Sequence, residues 1–300
     1  MTNERSTPVR EKQVLLPADT AMGTVMLKVG NVEAMASYYR TALGLTETAE
    51  ADGGLYLGRG TVPLIHLAPA GALTLPARTE AGLFHTALVF DDQAALAATV
   101  ASAAEYDAGA YVGSADHLVS EAFYFTDPEG NGIELYFDKP RETWDWIDTN
   151  AGRTVTMDNL ALPPRQYLET HLTSESVRDQ QAAAAAVGHV HLQVGDVDTA
   201  GEFYVDTLGF ERTAGWHGQA LFVSAGGYHH HMAMNVWNSR GAGPRKDTLG
   251  LGEVLIRVPA ADEVGALAER LKFAAVTHHH TGLELLFNDP WNNKIRVSAA

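Results

Sequence analysis

Residues 24–45 read TVMLKVGNVEAMASYYRTALGL, and residues 189–210 read HVHLQVGDVDTAGEFYVDTLGF. The two stretches align without a gap, Thr24 on His189, at an offset of 165 residues. Each opens with alternating side chains, the period of a strand with one apolar face. A helix-capping residue follows (Asn31, Asp196), then an amphipathic stretch, then a glycine stop (Gly44, Gly209). A repeat of this kind is a duplicated structural unit, and locating it decides the fold.

Weaker copies occur at 85–101, HTALVFDDQAALAATVA, and at 253–271, EVLIRVPAADEVGALAERL. Behind the helices come segments rich in β-branched and aromatic residues, such as 117–126 (HLVSEAFYFT), 133–137 (IELYF) and 220–224 (ALFVS). The pattern predicts an α+β fold of four βαβββ modules at about 22–68, 82–138, 187–238 and 250–298. Two modules side by side make a curved mixed sheet with helices outside and a cup inside. In domain terms this gives a disordered tail over 1–20, a first domain over 21–140, a linker over 141–186 and a second domain over 187–300. The linker holds Pro163, Pro164 and the run QQAAAAA, which predicts a helix over 176–186.

Composition narrows the function classes. The 300 residues carry 37 Asp+Glu against 21 Lys+Arg, a net charge of −16, which argues against nucleic acid or an anionic membrane as partner. The absence of Cys rules out disulfides, iron–sulfur clusters and thiolate ligands. The 13 His are the unusual count, so any metal must be held by His, Asp and Glu. No apolar run approaches the roughly 18–20 residues of a membrane span. Met1 to Gln13 has no apolar segment of a secretory signal, so the expected location is cytoplasmic.

The densest chemistry lies at 117–134, HLVSEAFYFTDPEGNGIE. Asp127-Pro128-Glu129-Gly130-Asn131-Gly132 is a turn sequence joining two strands. A hairpin centred on Glu129 places Tyr124 opposite Glu134, so a phenol and a carboxylate share one sheet face. The alternative is a surface hairpin with an exposed Glu. His85 opens the strand of the same module, sharing a face with Ala87 and Val89. In module three His189, His191 and Gln193 lie on one face and Val190, Leu192 and Val194 on the other. The apolar face must meet the helix, which turns the histidines into the cup. His229-His230-His231 falls in a strand-like stretch, where His230 points opposite to His229 and His231, so the three cannot all reach one site. A second triplet, His278-His279-His280, has no assigned role.

These residues resemble the vicinal-oxygen-chelate superfamily, and within it the type I extradiol dioxygenases, over about 22–138 and 187–298. The family signature runs from a His through an aliphatic or Phe, a Tyr, an acidic residue, a Pro and a Gly to a Glu. His117, Phe123, Tyr124, Asp127, Pro128, Gly130 and Glu134 stand at those places, and Ala115 departs from its first position. The resemblance implies an Fe(II) site of two His and one carboxylate, with Mn(II) suiting the same donors and O2 as co-substrate. It makes His85 and Glu134 ligands, Tyr124 the active-site tyrosine and His117 a supporting histidine. The remaining ligand normally opens the preceding module, but Thr24 stands there, and His189 of module three supplies the imidazole instead. In module four, Glu253, Leu286 and Arg296 replace the His, Tyr and Glu. A site built by modules two and three follows, with modules one and four forming an inactive cup.

The first His triplet resembles the family's acid/base region. His230 matches by position, with His229, His231 and His191 as pocket residues, although strand parity leaves open which of 229–231 faces inward. The implied reaction is ring cleavage of a small aromatic diol, in an enzyme that forms a dimer or larger homo-oligomer. Two other functions fit the fold. A glyoxalase-type isomerase would want a second Glu ligand, which module three does not supply, and a non-enzymatic small-molecule binder would not need ligand spacing.

Overall fold

The computed structural model describes residues 14–51, 53–149 and 152–300. Of the disordered tail expected over 1–20, residues 1–13 lie outside them, and the remainder packs on the fold: Leu16 is buried and its backbone N–H donates to the Gly209 carbonyl (2.8 Å). Module one comprises β1 (Ala21–Val29), α1 (Val32–Thr41), β2 (Thr46–Ala51), β3 (Gly54–Arg59) and β4 (Val62–Pro69). Module two comprises β5 (Gly82–Phe90), α2 (Gln93–Tyr106), β6 (Tyr111–Asp116), β7 (Ser120–Thr126) and β8 (Gly132–Asp138). The connection holds β9 (Trp146–Thr149), β10 (Gly152–Val155), β11 (Leu160–Ala161), α3 (Pro164–His171) and α4 (Ser174–Arg178). Module three comprises β12 (Ala185–Gln193), α5 (Val197–Gly201) with a π-helical continuation (Glu202–Thr207), β13 (Glu211–Trp216), β14 (Ala220–Ser224) and β15 (Met232–Asn235). Module four comprises β16 (Gly250–Val258), α6 (Ala261–Phe273), β17 (His278–His280), β18 (Glu284–Asn288) and β19 (Lys294–Ala299).

The capping residues act as their types dictate. Asn31 and Asp196 accept from the backbone N–H groups of Ala34 (3.0 Å) and Thr199 (2.7 Å), satisfying donors that the first helical turn leaves free. The repeat also explains its own tyrosine. Tyr39 donates to Asp127 (3.0 Å) and its counterpart Tyr204 donates to Asp289 (3.0 Å), so each helix is tied to the Asp-Pro turn of the module that follows it. Asp127 in turn accepts from the backbone of Glu129 and Asn131 (both 2.9 Å), which closes the hairpin turn.

The modules combine across the two halves of the chain. One sheet runs β11-β6-β7-β8-β5-β12-β15-β14-β13, joining module two to module three, and the other runs β17-β18-β19-β16-β1-β4-β3-β2, joining module four to module one. The seams are antiparallel pairings of β5 with β12 and of β1 with β16. The apolar faces of the repeat strands, Val25, Leu27 and Val29 and then Val190, Leu192 and Val194, lie in one hydrophobic core.

The connecting segment differs from expectation. In place of a helix over 176–186 stands α4, ending at Arg178, and the Ala run continues into β12, with Ala185 opposite Phe90 and Ala186 opposite Val89. The helical preference of alanine is overridden by strand pairing and by Arg59. That buried guanidinium takes the Gln180 carbonyl, the Ala183 carbonyl (3.1 Å) and the Leu43 carbonyl (2.7 Å), so the backbone acceptors a longer helix would use are already engaged.

At the counterpart of the cup face in the eight-stranded sheet, ion pairs stand where ligands would. Arg296 Nε donates to Glu253 Oε1 (2.6 Å) and its Nη1 to Glu284 Oε2 (2.9 Å), while Lys294 lies 3.0 Å from Glu253. Thr24, aligned on His189, spends its hydroxyl on the Pro63 carbonyl (3.0 Å). No helix among the described residues is long and apolar enough to cross a membrane.

Candidate active site

Parity on three adjacent strands builds the site. β8 and β5 run parallel with Glu134 opposite Ala87, and β5 pairs with β12 with His85 opposite His191 and Ala87 opposite His189. His85 and His189 therefore flank Glu134 from the two sides of the seam. All three are buried, and their ligand-type atoms lie within 4.8 Å of one another. His85 Nε2 is 2.9 Å and His189 Nε2 3.1 Å from the same oxygen, Glu134 Oε2.

This set fits a metal ion. Ligand atoms about 2.1 Å from an ion and at right angles to each other stand about 3 Å apart, the spacing seen here. His85 Nε2 is buried and makes no hydrogen bond with acceptable geometry despite its proximity to Glu134, as a lone pair reserved for an ion would. Burial pushes His189 below its ordinary value, which favours the neutral imidazole that ligates. Burial alone would raise Glu134, but His189 and His85 outweigh it and hold the carboxyl well below the usual range.

His191 shares the face but is engaged elsewhere. Asn235 Oδ1 accepts from the Trp237 backbone N–H (3.1 Å), which orients the amide so that its Nδ2 donates to His191 Nε2 (3.0 Å). With Nε2 accepting that bond, His191 forms part of the cup wall against Phe84, Phe222 and Trp237.

Tyr124 lies directly opposite Glu134 in the β7–β8 hairpin. Burial, followed by the Glu134 charge, pushes its phenol well above the ordinary value, so it stays protonated. His117 Nδ1 is 3.0 Å from the Asp158 carbonyl, an obligate acceptor, so Nδ1 carries the proton and Nε2 accepts from the Tyr124 hydroxyl (2.6 Å). The phenol hydrogen is thus directed at His117, and the oxygen lone pairs remain free toward the cup.

The first His triplet is not in a strand. β15 begins at Met232, and residues 229–231 form a bend after Gly226 and Gly227, both at positive φ. Strand alternation therefore does not apply to it. His230 lines the cavity with its ring 4.1 Å from that of His189. His229 lies behind, between His230 (Nδ1 to Nδ1, 2.7 Å) and Asp138 (Nε2 to Oδ1, 2.8 Å). His231 turns away, its Nδ1 3.0 Å from Ser224 Oγ. The second triplet forms β17, at the edge of the other sheet.

Asp138 escaped the sequence reading, although alternation puts Glu134, Tyr136 and Asp138 on one face. Its carboxylate accepts from His229 and from the Tyr228 hydroxyl (2.7 Å). A neutral His229 that donates from Nε2 must accept at Nδ1, so His230 donates from its own Nδ1 and keeps the Nε2 lone pair. The chain Asp138–His229–His230 thus selects one tautomer of the inward histidine. Burial, followed by the neighbouring histidines, pushes His230 well below its ordinary value, which keeps it neutral.

Above these groups is a cavity of about 1300 Å³. Its wall includes Phe84, Tyr124, Phe222, His230 and Trp237, and the connection adds Thr154 to Asn159.

The model of the Glyoxalase/Bleomycin resistance protein/Dioxygenase superfamily matches residues 21–135 and 186–297. A catechol-2,3-dioxygenase of Bacillus subtilis (strain 168) is 32% identical over 283 residues, which cover 91% of this chain and 94% of that protein. Among solved structures, the cppA protein of Streptococcus pneumoniae TIGR4 superposes with a TM-score of 0.58 at 14% identity, covering 96% of this chain and all of its own. Glyoxalase I of Zea mays superposes with a TM-score of 0.57 at 13% identity, covering 94% and 92%. At those identities the structural likeness is one of fold.

Proposed function

Because the chain belongs to the Glyoxalase/Bleomycin resistance protein/Dioxygenase superfamily, we propose that it is an Fe(II)-dependent extradiol dioxygenase, opening a catechol-type diol beside its hydroxyls with O2. The observation that carries this reading is the buried His85–Glu134–His189 set, two imidazoles and one carboxylate converging beneath a large cavity. Fe(II) bound there would supply open positions for the diol and O2 and the redox chemistry between them, and the donors suit Mn(II) as well.

The protein's own groups manage the protons. His230 presents its Nε2 lone pair to the cavity and is placed to take a hydroxyl proton and later return it. Tyr124, held by His117, is placed beside the substrate oxygens. As the phenol accepts or releases a hydrogen bond there, His117 follows through the shared 2.6 Å contact. Phe84, Phe222 and Trp237 supply apolar walls for an aromatic ring and exclude water from it. The expected product is a ring-opened hydroxymuconic semialdehyde-type acid.

The superfamily also includes isomerases that favour a second carboxylate ligand. Only one carboxylate joins the cluster among the described residues, which supports the dioxygenase reading. Protein purified anaerobically should contain about one iron per chain, consume O2 when given a catechol and form a yellow product. Stoichiometric metal without O2 uptake on any catechol would defeat the reading.

Asp138→Asn tests the tautomer chain. The amide can donate to His229, reversing the order of donors so that His230 loses its inward lone pair. Turnover should fall about 10–100-fold with iron content unchanged, since a supporting hydrogen bond is lost and no ligand is. Unchanged turnover would remove Asp138 from the mechanism.

A further inference from the structure

The cavity is larger than the ring it is proposed to cleave. Pockets of roughly 300–1,000 Å³ bury drug-sized ligands, so a bare catechol would leave most of about 1300 Å³ unfilled. From His85 the wall follows β5 back to Gly82, roughly 10 Å at the rise of a strand. The Arg245 guanidinium sits over that point, since a Cβ built on Gly82 would stand 3.7 Å from Arg245 Cζ.

Arg245 is held entirely by neutral acceptors. Its Nη1 donates to the Leu251 carbonyl (2.9 Å) and to Asn293 Oδ1 (3.4 Å), and its Nη2 donates to Thr248 Oγ1 (3.2 Å). Its Nε is buried without a hydrogen-bond partner. Among the described residues no carboxylate comes within ion-pair distance, and Asp247, Asp289 and Glu80 act on it only from further away. The other charged side chains nearby on the wall are Arg78, Glu80, whose Oε2 accepts from the Ala77 backbone (3.2 Å), and Glu129, whose Oε1 accepts from the Gly30 backbone (2.8 Å).

Building on the dioxygenase reading, we propose that Arg245 receives a carboxylate carried on the ring substituent, so that the substrate is a catechol with an acidic side chain. Neutral anchors fix the guanidinium in place without cancelling its charge, and a fixed planar fork matches a carboxylate in shape and hydrogen bonding. In a chain of net charge −16 an anionic substrate needs such a local cation. The distance along β5 leaves room for a ring at the His85 end and a flexible chain of a few atoms reaching the Gly82 end.

The test compares a catechol bearing a butanoate chain with the corresponding primary amide. Binding is measured by calorimetry on the anaerobic Fe(II)-loaded enzyme, and ring opening is measured separately in air. The wild type should bind the carboxylate about 10–100-fold more tightly than the amide, the range of a charge-assisted contact. Arg245→Gln should bring the two ligands together, and Arg245→Lys should retain part of the preference. Equal binding by the wild type, no binding of either ligand, or a preference surviving in Arg245→Gln would overturn the assignment. Should Arg245→Gln not fold, the wild-type contrast and the lysine variant decide. Ring opening without a preference leaves the dioxygenase reading standing and removes Arg245. An Arg245-dependent preference without ring opening does the reverse.

Discussion

His189→Ala is expected to lose both iron and ring-opening activity, while His191→Ala keeps its iron. Both histidines stand on the cup face of β12, two residues apart, and the family resemblance singles out His189, which aligns with the ligand place held by Thr24. The structure places His189 Nε2 3.1 Å from Glu134 Oε2 and commits His191 Nε2 to Asn235. Loss of a supporting partner of a metal ligand typically costs 10–100-fold. Loss of the ligand itself should exceed that, leaving occupancy below about a tenth and turnover near background. His191→Ala should alter substrate affinity through the wall it forms with Phe84 and Trp237. Metal analysis and O2 uptake on the two proteins suffice. Retention of iron in His189→Ala together with its loss in His191→Ala would refute the ligand assignment.

Gly132→Ala should disrupt the fold at the same place. A Cβ at Gly132 would overlap the Phe84 carbonyl oxygen and stand 3.0 Å from His85 Cβ. Neither neighbour is the free end of a flexible side chain, so relief requires β5 and β8 to move apart. That movement separates His85 from Glu134, which these parallel strands hold together. Overpacking of this kind costs about 1–3 kcal/mol and at times more, corresponding to a fall of roughly 2–12 °C in the unfolding midpoint. Iron should be lost even where the protein remains folded. Gly265→Ala is the control, because nothing lies within 4 Å of its Cβ position in α6. A helical Gly→Ala change is neutral or stabilising by up to about 1 kcal/mol. Equal melting of Gly132→Ala and the wild type, with full iron, would contradict the steric argument.

Glycine-rich turn chemistry made the β7–β8 hairpin legible, and with it the opposition of Tyr124 and Glu134. Alternation on β12 likewise separated the buried Val190, Leu192 and Val194 from the histidines that face them across the strand. At His229–His231 the side chains do part, with only His230 on the cavity wall, but alternation is not the cause, because the triplet lies ahead of β15. The helix expected over 176–186 does not form, because Arg59 and the β5–β12 ladder outweigh the helical preference of an alanine run.

The amino-acid order by itself determined the four modules, the capping residues, and which side chains share a face of each strand. These depend on local period and turn chemistry, which a short window of sequence contains. Tertiary structure alone decided the β5–β12 register that sets His85 beside His189, the Asp138–His229–His230 chain, and the placing of Arg245 over Gly82. Each of those joins residues far apart in the chain, through strand pairing and burial that no local pattern records.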